Sequence, residues 1–123
     1  MHSSNLLFEN GILTGYLDFD MSQMNARVFD TVYLGCSQLF ENYRDESRLK
    51  IWQEVFAGIL YGYNELLPLN EGEIKALPSL FVFDGVLFTA FYSKIGQLEI
   101  AKNYIEMANW MHENMASVLL RII

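Results

Sequence analysis

The dipeptide Asn10-Gly11 constrains the start of this chain more than any other feature of its sequence. Both residue types tolerate a positive φ, so the pair is typical of the two-residue type I′ turn that joins antiparallel strands. Short apolar runs of strand length flank it, at residues 6–8 and 12–17. We therefore predict an N-terminal β-hairpin.

The predicted hairpin brings three oxygen-bearing side chains to one end. Asn5 opens the first strand, whereas Asp18 and Asp20 follow the second. Amide and carboxylate oxygens are the ligands that Mg²⁺ takes from proteins, with phosphate and water completing its octahedron. The sequence thus predicts a metal site of the kind that binds a nucleotide. Structural roles are the alternative: strand initiation or turn bonding for Asn5, and helix capping or a solvent-facing position for Asp20.

The same residues carry a resemblance to a known family. The segment His2-Ser3-Ser4-Asn5 is similar to the end of the catalytic loop His-x-Asp-x-His-x-x-Asn of the aminoglycoside phosphotransferase and choline kinase group. Asp18-Phe19-Asp20 resembles the acidic motif of those small-molecule kinases, and Arg27-Val28-Phe29-Asp30 resembles the Arg-x-x-Asp that follows it. The resemblance implies part of the C-terminal lobe of a protein-kinase-like fold. It also implies Mg²⁺ and ATP for the parent family, with Asn5 and Asp18 as metal ligands.

The resemblance also predicts what this chain lacks. The family's catalytic Asp, which accepts the proton of the attacking hydroxyl, stands five positions before the Asn. Counting back from Asn5 places it one position before Met1. No Gly-rich phosphate loop or strand Lys precedes the hairpin, and all eight Lys and Arg residues, from Arg27 to Arg121, follow it. We expect this chain to lack the catalytic base. We also expect that ATP binding requires the parent enzyme.

Two functions from different classes follow. The first is part of an ATP-dependent phosphotransferase that acts on a hydroxyl group of a small molecule, such as an aminoglycoside or an amino alcohol, and that is inactive as this fragment. The second is a non-catalytic helical binding or self-association module derived from such a kinase. An accidental resemblance on an unrelated helical domain is the third alternative. The resemblance does not identify the acceptor substrate, because fold similarity does not fix the substrate.

After the hairpin, apolar residues recur at three- and four-residue spacing, which predicts about four helices and a mostly α fold. The first predicted helix covers residues 25–42. The second opens near Asp45 and stops at Pro68, since proline cannot continue a helix.

The second half of the chain begins with a capping signal. Residues 70–73 resemble a capping box that starts a short third helix, and we expect Pro78 to break or restart it before the apolar run to Lys94. Gly96 then precedes a last helix with a face rich in Met and aromatic residues, a pattern typical of core packing.

Composition bounds the organisation and the partners. A chain of 123 residues makes one domain, with a hairpin subdomain at 1–20 and a helical subdomain at 21–123. Because 52% of residues are hydrophobic, we expect exposed apolar surface that mediates homo-oligomerisation. A net charge of −7 excludes a basic stripe for nucleic acid.

The sequence favours a cytoplasmic protein. Cys36 is the one cysteine, so no internal disulfide can form, and no signal-peptide pattern is visible. The apolar run 77–92 contains Pro78, Asp84 and Gly85 and is shorter than the ~20 residues of a membrane span. We predict a buried core helix there and no membrane partner.

The remaining ionisable residues each have a structural alternative to a functional role. His2 resembles the family motif without a role of its own, and His112 has no partner motif. Arg27 and Asp30 are predicted to form a structural ion pair or hydrogen bond near the hairpin. A cationic acceptor is one interpretation of four acidic residues, but a solvated face is favoured; they are Asp45, Glu46, Glu71 and Glu73.

Overall fold

The structure, a computed structural model, describes residues 3–17 and 27–123. A short 3₁₀ turn at Ser3–Asn5 leads into a two-stranded antiparallel sheet, and four helices follow. The mostly α fold with a leading hairpin is therefore confirmed. The elements are β1 (Leu6–Glu9), β2 (Ile12–Tyr16), α1 (Phe29–Leu39), α2 (Glu46–Leu66), α3 (Glu71–Lys94) and α4 (Leu98–Leu119).

The hairpin turns at the predicted dipeptide. Asn10 and Gly11 have φ values of 50° and 77°, as a type I′ turn requires, and Glu9 pairs with Ile12 across them. The register shifts further along, because Leu7 pairs with Gly15 whereas Phe8 pairs with Leu13. This bulge leaves Thr14 without a Cα partner, and its hydroxyl donates to the Leu7 carbonyl at 3.3 Å.

The first two helices begin and end at local signals. Asp45 caps α2 by accepting a hydrogen bond from the Arg48 amide, and the helix ends at Leu66, two residues before Pro68, as predicted. Helix α1 ends at Leu39, earlier than expected. The side-chain amide of Asn42 donates to the Gln38 carbonyl beyond that point, so the chain turns instead of continuing the helix.

Helix α3 confirms the capping box and corrects the expected break. Asn70 and Glu73 exchange the two hydrogen bonds of the box at the first turn. The helix then runs unbroken through Pro78 for 24 residues, so the prediction of a short helix was wrong. Leu77 and Phe81 are fully buried on either side of Pro78. Core packing therefore holds both halves in one helix despite the missing amide donor.

The core lies where the helices meet. Trp52 and Phe56 of α2 stack with ring centroids 5.1 Å apart, and the Phe81 ring of α3 packs edge-on against both. The Trp52 indole donates to the Gly35 carbonyl of α1 at 2.8 Å, so its buried N–H has a partner. The Gln53 amide donates to the Val118 carbonyl at 3.2 Å, which ties α2 to the end of α4.

One face of α3 is exposed, which corrects the predicted buried helix. Only 22% of its most apolar window is buried, and Phe83, Val86, Leu87 and Phe91 are 44–53% exposed. Among the described residues, α3 alone is long and apolar enough to cross a membrane by length and composition. The sequence pattern identified the apolar helix but not how little of it the other helices cover.

Gly35 offers a test of the packing between α1 and the aromatic core. A Cβ at Gly35 would lie 2.7 Å from two atoms of the Phe56 ring. Since that ring is itself packed between Trp52 and Phe81, we expect Gly35→Ala to lower the free energy of unfolding by about 1–3 kcal/mol. Urea denaturation of wild type and variant measures this change in the free energy of unfolding.

Gly58→Ala is the matched control. A Cβ at this exposed α2 position meets nothing within 4 Å. Its higher helix propensity should therefore stabilise the protein by up to about 1 kcal/mol. Equal effects of the two substitutions would contradict the close approach at Gly35.

Candidate functional site

The open end of the hairpin holds the first candidate site. The Leu17 amide donates to the Asn5 carbonyl at 2.8 Å, which extends the strand pairing one step beyond Leu6 and Tyr16. Asn5 therefore lies opposite the residue that precedes Asp18 in sequence. Asp18, Asp20 and His2 themselves lie outside the described residues. Asn5 lies in the 3₁₀ turn just before β1, and its convergence with the two aspartates stays a prediction.

The donor set at this end fits Mg²⁺ by its chemistry. An Asn amide oxygen and Asp carboxylates are hard oxygen ligands, and Asn5 is only half-buried, so its side chain is accessible. Within residues 3–17 and 27–123, no group of three or more His, Cys, Asp or Glu side chains is arranged to hold a metal. The metal site that the sequence predicts depends on Asp18 and Asp20, which lie outside the described residues.

Arg27 has a structural partner other than Asp30. Its guanidinium pairs with the Glu73 carboxylate, with one nitrogen–oxygen distance of 2.6 Å, and also donates to the Pro68 carbonyl at 2.7 Å. This hydrogen bond raises the pKa of Arg27 and lowers the pKa of Glu73. The Tyr63 hydroxyl donates to the Arg27 carbonyl at 3.1 Å. Arg27 thus joins the entry of α1 to the α2–α3 turn.

The other acidic candidates also serve the helices. Asp45 caps α2, while Glu46 and Glu71 form exposed ion pairs one turn along their helices with Lys50 and Lys75. Such pairs contribute little stability and leave the carboxylates in solvent. His112 is exposed on α4. These arrangements match the solvated face that the sequence favoured.

A second candidate site is a cavity of about 70 Å³ between α1, α3 and α4. Its lining combines one carboxylate with a hydroxyl and four aromatic rings, and all lining residues except the carboxylate are partly exposed. The cavity therefore reaches the surface. It is lined by Tyr33, Ser37, Asp84, Phe88, Tyr92 and Tyr104.

Asp84 is the unusual member of this lining. Its residue is 1% exposed, and no donor in the part of the chain that the structure describes bonds its Oδ1. Burial raises the pKa of Asp84 to about 6, and the buried thiol of Cys36 on α1 and the positive charge of the N-terminus oppose that rise. Buried polar atoms are usually satisfied, so the free oxygen indicates a missing partner.

The aromatic residues form a continuous stack around the carboxylate. Tyr33 stacks on Phe88 with ring centroids 5.4 Å apart, Phe88 stacks on Tyr104 at 5.3 Å, and Tyr104 stacks on Tyr92 at 5.5 Å. Burial is the main cause that raises the pKa of Tyr104, so this phenol stays neutral. The cavity thus offers π surfaces and hydroxyls beside one negative charge.

Small residues let α3 and α4 meet closely below this cavity. A Cβ at Gly85 would lie 2.8 Å from Met111 Cε and 3.0 Å from the Ala108 Cβ. The neighbouring position on α3 is Asp84, so the same close contact fixes the carboxylate between the helices. On the α1 side, Cys36 is equally fixed because Gly35 packs against Phe56.

Sequence reasoning noted Asp84 only as an interruption of an apolar run. A sharper signal was present, because Asp84 is the single charged residue between Lys75 and Lys94. A carboxylate within an apolar helix is costly unless it has a partner or a function. The aromatic partners come from three helices, so no spacing within one segment identifies them.

Comparisons with protein-family models, with curated proteins and with solved structures find no match for this chain. The two candidate sites therefore rest on the residues and their geometry alone.

Asp84 should make the protein less stable as pH rises through its titration range. Between the ordinary Asp pKa near 4 and the folded value of about 6, the native carboxyl is protonated whereas the unfolded one is ionised. Stability present at low pH is lost in this window and stays lost above it. We expect Asp84→Asn to raise the free energy of unfolding near neutral pH by about 1–3 kcal/mol.

Denaturation of wild type and Asp84→Asn at about pH 4 and about pH 7.5 measures this difference, which should be larger at the higher pH. Glu54→Gln, which removes an exposed carboxylate on α2, is the control and should change stability little. A destabilised Asp84→Asn protein at neutral pH would show that the ionised Asp84 carboxylate does not destabilise the fold.

Proposed function

We propose that this chain is part of an ATP-dependent phosphotransferase that acts on a hydroxyl group of a small molecule. The hairpin carries the proposal: the Asn5–Leu17 backbone hydrogen bond supports an arrangement in which Asn5 and the Asp18-Phe19-Asp20 motif share one end. The order of the motifs, with Arg27-Val28-Phe29-Asp30 following, supports the same family.

In this proposal Asn5, Asp18 and Asp20 hold Mg²⁺ through their side-chain oxygens. When bound, the ion neutralises negative charge on the phosphates of ATP. The protein's own contribution is positioning: the paired strands fix Asn5, and the bulge at Thr14 fixes the twist with which β2 approaches the acidic motif. Arg27, from the Arg-x-x-Asp motif, anchors the helical body through Glu73 and takes no part in the chemistry.

The sequence provides neither the proton acceptor nor the phosphate clamp of this family. Catalysis of phosphoryl transfer is almost entirely positioning and electrostatic stabilisation, so a chain without both groups should not turn over alone.

Metal binding tests this proposal without requiring activity. Mn²⁺, which accepts the same oxygen ligands as Mg²⁺, should broaden the amide NMR signals of Asn5 and Leu17 in a saturable way. Asp18→Asn should weaken this binding at least about tenfold, because the substitution removes the carboxylate charge. Glu54→Gln should leave it unchanged, and equal broadening in all three proteins would contradict the proposed site.

A phosphoryl-transfer assay with ATP and hydroxyl acceptors, including an aminoglycoside and an amino alcohol, tests the second half of the proposal. We expect no turnover from the purified chain. Turnover at about 1–100 per second, the ordinary kinase range, would show that it needs no further groups.

The exposed face of α3 favours self-association as a second candidate function. Phe83, Val86, Leu87 and Phe91 recur at three- and four-residue spacing on that face, and no charged side chain is exposed among them. An uncharged stripe of large apolar side chains gains free energy when a second such stripe covers it. The module would then assemble with copies of itself through α3.

Light scattering across a range of protein concentrations tests this candidate. We expect a dimer or larger oligomer that the double substitution Val86→Glu and Leu87→Glu dissociates, because it places charges within the stripe. Ile51→Glu, at an equally exposed apolar position on α2, is the control and should leave the mass unchanged. A wild-type monomer at every concentration would contradict self-association.

A further inference from the structure

We propose that the cavity around Asp84 is a binding site for the ammonium head group of a small organic cation. The site lies between α1, α3 and α4 and uses none of the hairpin residues, so it holds or fails independently of the proposed phosphotransferase function. Three observations lead to this ligand class: the charge of the carboxylate, the chemistry of the rings and the size of the space.

The structure describes no cationic side chain that pairs with the carboxylate. No Lys, Arg or His side chain among residues 3–17 and 27–123 forms an ion pair with it, and no donor among these residues bonds its Oδ1. The neutral thiol of Cys36 and the charge of the N-terminus both lower the pKa of Asp84, but burial outweighs them. An ionised carboxylate in such a place is costly unless a cation accompanies it. A ligand that brings a positive charge and an N–H donor would satisfy both needs.

The rings select an organic cation over a metal ion. Tyr33, Phe88, Tyr92 and Tyr104 line the space, and aromatic rings are favourable neighbours for the hydrocarbon and the charge of an alkylammonium group. Ca²⁺ and Mg²⁺ require about six or more oxygen ligands, and this cavity offers one carboxylate with a few hydroxyls. Methyl or methylene groups on a ligand nitrogen would also contact the apolar ring surfaces.

The volume sets the size of the group that enters. About 70 Å³ is room for roughly two water molecules at their share of liquid volume. This suits a primary or singly methylated ammonium group, while the rest of a larger ligand would extend toward the surface past the partly exposed lining residues. Methylammonium and ethanolamine are therefore suitable probes.

Titration of the full chain with methylammonium chloride and with ethanolamine, followed by amide NMR, tests the proposal. We expect saturable shifts for residues on α1, α3 and α4 around the cavity. Ethylene glycol, which matches ethanolamine in size but carries no charge, should produce none. Equal shifts with ethylene glycol, or no saturable shift with either amine, would overturn the proposal.

Two variants separate the carboxylate from the rings. Asp84→Asn should weaken amine binding at least about tenfold, since it removes the charge while keeping the shape. Phe88→Leu should weaken it about three- to tenfold by removing one aromatic ring from the lining. Glu54→Gln should bind like wild type. Because Asp84→Asn is expected to fold more stably, its loss of binding cannot be attributed to unfolding, and unchanged affinity in that variant would overturn the proposal.

Discussion

The helical body depends on the close contact between Gly35 and the aromatic cluster of α2 and α3. The missing side chain lets the Phe56 and Phe81 rings approach the α1 backbone, and the Trp52 indole hydrogen bond to the Gly35 carbonyl closes the contact. This contact sets the distance and rotation of α1 against α3. Cys36, the next residue, consequently faces Asp84, and Tyr33 on the same helix faces Phe88. The position of α1 against α3 thus determines the shape of the cavity.

The packing around Asp84 has one feature that stabilises the fold and one that destabilises it. Close-packed small residues, Gly85 and Ala108, bring α3 against α4 and bury apolar surface. The same packing encloses a carboxylate whose ionisation is unfavourable there. Natural proteins carry such conflicts mainly where a site requires them, because an apolar residue of similar shape would be more stable. The conflict at Asp84 is the physical reason for assigning a ligand to this cavity.

Local signals in the sequence predicted the parts of the fold that depend on neighbouring residues. The turn at Asn10-Gly11, the start of α2 near Asp45 and the box at Asn70 are each set within a few positions of the chain. The length of α1 differed because Asn42 bonds back to Gln38.

The errors concerned interactions between helices. Pro78 lies inside α3 because buried neighbours on both sides override its local effect. One face of α3 is exposed because the described helices that pack against it leave Phe83, Val86, Leu87 and Phe91 uncovered. Of the two candidate sites, the hairpin end was visible in the sequence because its residues are close along the chain. The Asp84 cavity was not, since its lining residues are spread along the chain from Tyr33 to Tyr104.

Glu73 links the start of α3 to the entry of α1. One carboxylate completes the capping box of α3 by accepting from the Asn70 amide, and it also pairs with Arg27 at the entry of α1. These interactions lower its pKa, so they are present at neutral pH and are lost together as pH falls through that lowered value. Protonation of Glu73 therefore removes one contact from the start of α3 and one from the entry of α1 at the same time.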